Sequence, residues 1–237
     1  MNARTYRRDC LLGALGALLM LVGDLCLSWI PAFPGDAGLF AREAYLNGSY
    51  PAWRLPLLLG AEFPGIALCI FTVRASLAQV RPEHRKLRAV IRVSGGVYVT
   101  SAGVIHLLIG SLADWTSTLS PRLGSRETEE LIASQYARLA PTLILPYAGM
   151  IVLILASAWG LLGKKTFLPR RMFFFHMLTW QLVFVLIPDI RQALGASVST
   201  WDFVLSQGSG NAALAIWMLA NALWARNLST EEAVSHE

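Results

Sequence analysis

Three ionisable residues, Asp24, Glu62 and His106, lie inside three separate long apolar stretches of this 237-residue sequence. Ionisable side chains are rare in segments long enough to cross a bilayer, and those that occur there pair with one another or serve a function. Two carboxylates and one imidazole can exchange protons with each other or with a bound molecule near neutral pH. These residue types therefore predict an acid/base or binding site, with the three side chains as its catalytic candidates.

A shared depth connects the three ionisable residues with further polar side chains. Counted along a helix that rises about 1.5 Å per residue, each of the three lies about two turns below the same predicted membrane surface. Tyr147 and Gln181 fall at a similar depth, and Asn211 lies slightly nearer that surface. We expect these last three residues to bind polar atoms of a substrate. Asn211 ends a stretch with two glycines, residues 207–211, which we expect to be flexible and to approach a ligand closely.

A structural interpretation uses the same residues without any ligand. Asp24 and His106 can form an interhelical pair that fixes the register of two helices, while Glu62 bonds a donor near Pro64. Polar side chains converge from nearly every apolar stretch, which favours a pocket, because fixing register needs only two of them. Helix rotation is not visible in the sequence, so both interpretations stay open here.

The composition predicts a membrane protein. Hydrophobic residues make up 55% of the chain, charged residues 15%, and the mean hydropathy is +0.51, which is too apolar for an ordinary water-soluble domain. The net charge of +5 does not indicate a nucleic-acid partner, because most basic residues lie in short segments between the apolar stretches. We therefore predict membrane lipids as the partners of the chain and no nucleic acid.

The apolar stretches predict an all-α fold, with one domain over residues 1–237 and a bundle of six transmembrane helices. The first stretch follows basic residues like a signal peptide, but its length and Asp24 favour a retained anchor. Ser125 and the acidic residues after it predict an amphipathic helix that leads into the fourth span. The predicted spans are approximately residues 10–30, 54–74, 89–113, 139–162, 171–190 and 208–225.

The distribution of basic residues predicts the orientation of the bundle. Most of the 20 Lys and Arg residues fall on one side of the predicted spans, together with both ends of the chain. Loops that remain in the cytoplasm carry such an excess, so we expect cytoplasmic N and C termini. The layer of polar side chains then lies in the outer half of the membrane.

Two further sequence patterns concern the packing of the helices and the binding of a metal or other cofactor. Small residues recur at helical spacing in the first, third and fourth stretches, which is typical of closely packed helices and is also suited to a homo-oligomer. The three cysteines and four histidines show no zinc-ligand spacing, so we predict neither a metal nor another cofactor. If a metal were bound, Asp24, Glu62 and His106 would be its ligands.

The apolar run from Gly13 to Asp24, rich in glycine and ending in Gly-Asp, resembles the first helix of an uncharacterised family of bacterial multi-span membrane proteins. The resemblance implies a multi-pass protein of the bacterial inner membrane. It implies no activity, but it directs attention to Asp24.

Three functional hypotheses follow from these patterns. The first is a membrane enzyme or binding protein that holds a lipid-like or amphipathic small molecule with its polar end at Asp24, Glu62 and His106. The second is a proton-coupled transporter, although no internal repeat supports it. The third is a non-catalytic membrane sensor or assembly partner, in which the polar layer only fixes helix register. Whether the protein is an enzyme is left open by the sequence.

Overall fold

A computed structural model describes residues 2–34, 36 and 42–234, with side chains described as far as Arg226. The described chain is almost entirely helical, and no β-strand occurs in these ranges. An isolated antiparallel bridge joins Val80 to Thr166. The all-α fold class predicted from the apolar stretches is confirmed.

Eight α-helices and two short 3₁₀ helices follow one another along the described chain. They are α1 (Ala3–Ser28), α2 (Glu43–Leu46), α3 (Arg54–Gln79), α4 (Arg85–Leu123), α5 (Ser125–Leu139), a 3₁₀ helix (Ala140–Leu143), α6 (Ile144–Leu162), a second 3₁₀ helix (Arg170–Phe175), α7 (Met177–Ala193) and α8 (Thr200–Val234).

Six helical segments in the described part of the chain are long and apolar enough to cross a membrane, as expected. Several are longer than the predicted spans: α1 begins at Ala3, α4 ends at Leu123 and α8 begins at Thr200. The difference has a simple cause. Hydropathy marks only the part of a helix that suits hydrocarbon, whereas backbone hydrogen bonding continues the helix into polar residues.

Helix α1 occupies the middle of the bundle, between α3 and α8. Its backbone contacts that of α3 directly: a Cβ atom built on Gly16 would lie 2.7 Å from the Gly65 carbonyl oxygen, and one on Gly65 would lie 2.8 Å from the Gly16 carbonyl oxygen. Larger residues at either position would push the two helices apart. The close packing predicted from the small residues of the first stretch is therefore confirmed at Gly16, while Gly65 lies in the second stretch, for which no such packing was predicted.

The helix predicted to begin near Ser125 is also confirmed. Helix α5 begins at Ser125, after Gly124 with a φ of 93°, and continues through the 3₁₀ helix into α6. Only Thr128 and Ile132 of α5 are buried, which fits an amphipathic helix on the side of the bundle.

The segment between α1 and α3 is fixed by a fully buried arginine. Arg42 donates hydrogen bonds to the carbonyl oxygens of Ser28 (3.1 Å), Ile30 (2.8 Å) and Pro31 (3.3 Å), and its guanidinium carbon lies 3.8 Å from the centre of the Phe203 ring. Burial lowers the pKa of the Arg42 guanidinium, and the neighbouring Tyr45 and Asp36 partly offset this shift. The contacts join the end of α1 to α8 on the same side of the bundle as Asp24.

Candidate functional site

Asp24, Glu62 and His106 lie together, each from a different helix. Glu62 Oε2 lies 2.7 Å from His106 Nδ1, and one ligand atom from each of the three residues lies within 4.8 Å of the others. Asn211 donates from Nδ2 to Asp24 Oδ2 at 2.8 Å. Helices α1, α3, α4 and α8 thus bring four of the predicted residues into one cluster, which we call the acidic cluster.

A glycine provides the space for this cluster. A Cβ atom built on Gly23 would overlap the Glu62 carboxyl group, so α1 can approach α3 here only because residue 23 has no side chain. The next residue, Asp24, then contributes the second carboxylate. Helix α3 continues as a helix through Pro64, two residues after Glu62.

The cluster is buried and carries more acidic than basic groups. Glu62 is 1% exposed and Asp24 7%, and the side chain of His106 is 12% exposed. Glu62 Oε1 is buried without a hydrogen-bond partner among the described residues. Two carboxylates therefore face one imidazole and one amide, so the cluster favours a proton or another cation over an anion.

A cavity of about 390 Å³ lies beside the acidic cluster and is bounded by all six of the long helical segments. Asp24 and His106 form part of its wall, and Glu62 lies behind them. Tyr147, Gln181 and Asn211 line the same cavity, so the shared depth counted along the sequence corresponds to a shared space. Most of the remaining wall is apolar, including Leu27, Val73, Ile105, Leu153, Ile154, Val185 and Leu214.

The pairing inside the cluster differs from the structural interpretation of the sequence. That interpretation paired His106 with Asp24, whereas His106 pairs with Glu62 and Asp24 binds Asn211. The reason is the order of the helices. Helix α3 packs against both α1 and α4, while α1 and α4 barely touch, so His106 meets the carboxylate of α3 first.

Some residues of the cavity wall were not predicted. Tyr98, Thr72 and Ser206 line the cavity, but no change in local composition marks them. Tyr98 lies two helical turns from His106 on the same face of α4, so periodicity along α4 could have identified it once His106 was placed.

Residues 207–211, which we expected to be flexible, are helical. These residues lie inside α8, which begins at Thr200. A Cβ atom on Gly208 would lie 2.8 Å from Leu21 Cδ1 of α1, so this glycine serves the packing of two helices. Gln207, Ser209 and Gly210 nevertheless line the cavity.

A second polar cluster lies between α1, α3 and α8, away from the cavity. Tyr6 donates to Asn221 Oδ1 at 2.7 Å, and Gln79 donates to the Tyr6 hydroxyl at 2.8 Å. All three side chains are buried, and the geometry is that of interhelical bonds. Because these three side chains already form hydrogen bonds with one another, we assign them a role in holding the helices together.

The described structure can be compared with known protein families. A model for a family of unknown function, DUF6796, matches residues 1–204. The chain belongs to this family. No curated protein and no solved structure matches the sequence of this chain.

Membership in DUF6796 extends well beyond the first helix, on which the resemblance to an uncharacterised family rested. The matched residues contain five of the six predicted site residues, Asp24, Glu62, His106, Tyr147 and Gln181. The DUF6796 match is consistent with the expected uncharacterised family, while a bacterial source stays a prediction.

Proposed function

We propose that this protein is a multi-pass integral membrane protein that binds or acts on a lipid-like or amphipathic small molecule. The apolar part of the molecule would lie in the cavity, and its polar end would meet the acidic cluster. One observation carries the proposal: an apolar cavity of about 390 Å³ adjoins a buried cluster of two carboxylates and an imidazole. Ligand pockets commonly combine an apolar wall with a few converging polar groups.

The polar groups around the cavity suit distinct tasks. The Glu62–His106 pair can give or take a proton, because its two members are already in contact at 2.7 Å. Tyr147, Gln181 and Asn211 offer hydroxyl and amide groups for orienting a polar end. These tasks serve binding and catalysis alike.

The least buried helix of the bundle supports access from the lipid. Helix α7 contributes Met177, Gln181 and Val185 to the cavity wall, yet only two of its 17 residues, Met177 and Pro188, are buried. It touches α6 only lightly. A molecule dissolved in the bilayer could pass between α6 and α7 without crossing water.

We also propose the cell context of the protein. The excess of Lys and Arg on one side of the spans supports cytoplasmic N and C termini, with the acidic cluster in the outer half of the membrane. The resemblance in the first helix supports the bacterial inner membrane. Fusion of a reporter that fluoresces only in the cytoplasm to each terminus tests this orientation.

The proposed ligand can be tested by analysing what purifies with the protein. In a mild detergent, we expect an amphipathic molecule to copurify, detectable by mass spectrometry of an organic extract. Ile154→Trp fills the cavity from α6, whereas Ile151→Trp changes the same type of residue on the exposed side of that helix. Only Ile154→Trp should reduce the bound amount.

The two tryptophan variants must be compared as folded proteins, which size-exclusion chromatography and circular dichroism establish. Equal amounts of bound amphiphile in both variants and in the wild type would show that detergent-accessible surfaces, not the cavity, hold it. That result would contradict the proposal, as would the absence of any copurifying amphiphile from the wild type.

A further inference from the structure

We infer that Asp24, Glu62 and His106 bind a divalent transition-metal ion at the wall of the cavity. This goes beyond the proposed amphiphile and does not depend on it. Among the described residues, these three form the one group of at least three His, Cys, Asp or Glu side chains with donor atoms so close together. The inference rests on their spacing, on an unpartnered buried oxygen and on charge.

The spacing suits a single ion. Metal bonds to imidazole nitrogen and carboxylate oxygen are about 2.0–2.2 Å long, so two ligands of one ion lie at most about 4.4 Å apart. The three donor atoms already lie within 4.8 Å of one another. Small rotations of the side chains are therefore enough to close the site around an ion, and no helix has to move.

Glu62 supplies the second observation. Its side chain is 1% exposed, and Oε1 has no hydrogen-bond partner among the described residues. Buried polar atoms are almost always bonded, and an atom that is not bonded commonly marks a place for water, an ion or a ligand. Oε1 lies beside Gly23, the residue before Asp24, and one oxygen of each carboxylate lies within 4.8 Å of the other, so an ion between the two carboxylates would give Oε1 a partner.

Charge favours a divalent cation. With both carboxylates ionised and His106 protonated, the cluster keeps one negative charge in excess, and no Lys or Arg lines the described part of the cavity. A divalent ion with a neutral imidazole would balance both carboxylates. The amide of Asn211 is neutral and so cannot balance the charge of the carboxylates.

The donor set and its surroundings indicate the class of metal. Two oxygen donors and one imidazole nitrogen suit Zn²⁺, Mn²⁺, Fe²⁺ or Co²⁺. Three protein ligands leave a coordination position open, as in catalytic metal sites, and that position would face the cavity. Asn211 holds Asp24 through Oδ2 at 2.8 Å and would position this ligand without touching the ion.

Titration with Co²⁺ tests the site, since Co²⁺ bound by imidazole and carboxylates absorbs visible light. Protein freed of metal by a chelator and held in detergent should bind one Co²⁺ per chain, and Zn²⁺ should displace it. Asp24→Asn, Glu62→Gln and His106→Gln should each weaken Co²⁺ binding at least about ten-fold, and Asn211→Ala about ten-fold or more.

Matched controls separate the site from general damage. Asp9→Asn changes another buried carboxylate of α1, which pairs with Arg74 at 3.1 Å away from the cluster, and His84→Gln changes a histidine outside it. Both should bind Co²⁺ like the wild type. If a cluster variant does not fold, two measurements on the wild-type protein test the site instead. The wild type should bind one Co²⁺ per chain, and Zn²⁺ should raise its melting temperature.

The inference is overturned if the wild type shows no saturable Co²⁺ binding, or if binding survives in all three ligand variants. Binding of a long-chain amine in the absence of any Co²⁺ binding would also overturn it, because an ammonium group would then be the missing cation. Copurification of an amphiphile does not enter this test, so either proposal can fail while the other stands.

Discussion

The missing side chain of Gly23 on α1 leaves the space that the Glu62 carboxyl group of α3 occupies. Asp24 follows directly and supplies the second carboxylate of the acidic cluster. The Gly-Asp pair at the end of the glycine-rich stretch thus has two roles in one turn of helix. Gly23 leaves room for the Glu62 carboxyl group, and Asp24 supplies the second carboxyl group.

Gly23→Ala should therefore destabilise the protein. The new methyl group would overlap the Glu62 carboxyl group, and overpacking of this kind costs about 1–3 kcal/mol. Gly60→Ala on α3 is the matched control, because a Cβ atom there meets nothing within 4 Å. The control should be neutral or more stable, since Ala favours a helix over Gly by about 0.5–1 kcal/mol. Thermal unfolding in detergent measures both, and equal shifts would refute the steric explanation.

A double-mutant cycle should reveal the bond between Asn211 and Asp24. Asn211→Leu removes the amide that donates to Asp24 Oδ2 at 2.8 Å and leaves a buried carboxylate with one donor fewer. We expect the free energy of unfolding to fall by about 1–3 kcal/mol. In the Asp24→Leu background the same change should cost much less, with a coupling energy of about 1–2 kcal/mol. Additive effects would mean that the two side chains do not interact.

Arg42 should not be replaceable by lysine. Its guanidinium donates to three backbone carbonyl oxygens and lies against the Phe203 ring, and an ammonium group cannot reproduce this planar set of contacts. Arg42→Lys should lower the free energy of unfolding by about 2 kcal/mol or more.

Arg126→Lys is the control for Arg42, because Arg126 is exposed and pairs with the exposed Glu130 one helical turn away. That change should alter stability by less than about 0.5 kcal/mol. Similar losses in the two variants, measured by chemical unfolding, would show that the buried contacts of Arg42 contribute no stability of their own.

His176 should act as a helix cap and packing residue, not as a catalyst. It is fully buried, its Nδ1 accepts from the Leu178 backbone N–H at 3.1 Å, and its Nε2 lies 3.0 Å from Ser157 Oγ. Since Nδ1 accepts a hydrogen bond, it has no hydrogen of its own, and Nε2 of the neutral imidazole donates to Ser157 Oγ.

Replacing His176 with Ala should cost more than replacing it with Asn, since Asn can still cap α7. Loss of a cap costs about 0.5–2 kcal/mol, and we expect Asn to recover about half of it. Unfolding experiments on the two variants give this difference directly. An Asn variant no more stable than the Ala variant would rule out the capping role.

Much of the fold follows from the apolar stretches, because a segment that crosses hydrocarbon must be helical and of a certain length. The shared depth of Asp24, Glu62 and His106 follows in the same way, since every helix rises by the same amount per residue. Residue counts along each helix are therefore enough to predict that these three side chains lie near one another.

Pairing and burial do not follow from the sequence. His106 pairs with Glu62 and not with Asp24 because α3 lies between α1 and α4, and helix order is decided by packing over the whole bundle. Arg42 lies outside the predicted spans, where a charged side chain is normally exposed to solvent, yet it is fully buried. Residues 207–211 were expected to be flexible, but they lie within α8, where the missing side chain of Gly208 allows close packing against Leu21 of α1.

The two sides of the cavity are built differently, and this has a practical consequence. On one side, the backbones of α1 and α3 are in close contact at Gly16 and Gly65, in the two helices that carry Asp24 and Glu62. On the other side, Gln181 and Val185 belong to α7, a helix with few buried residues. If the cavity holds the proposed amphiphile, a library of substitutions confined to these two positions should change the size and shape of the molecules that bind, while leaving the acidic cluster and the folding of the chain intact. The protein is thus a natural starting point for engineering selectivity inside a membrane.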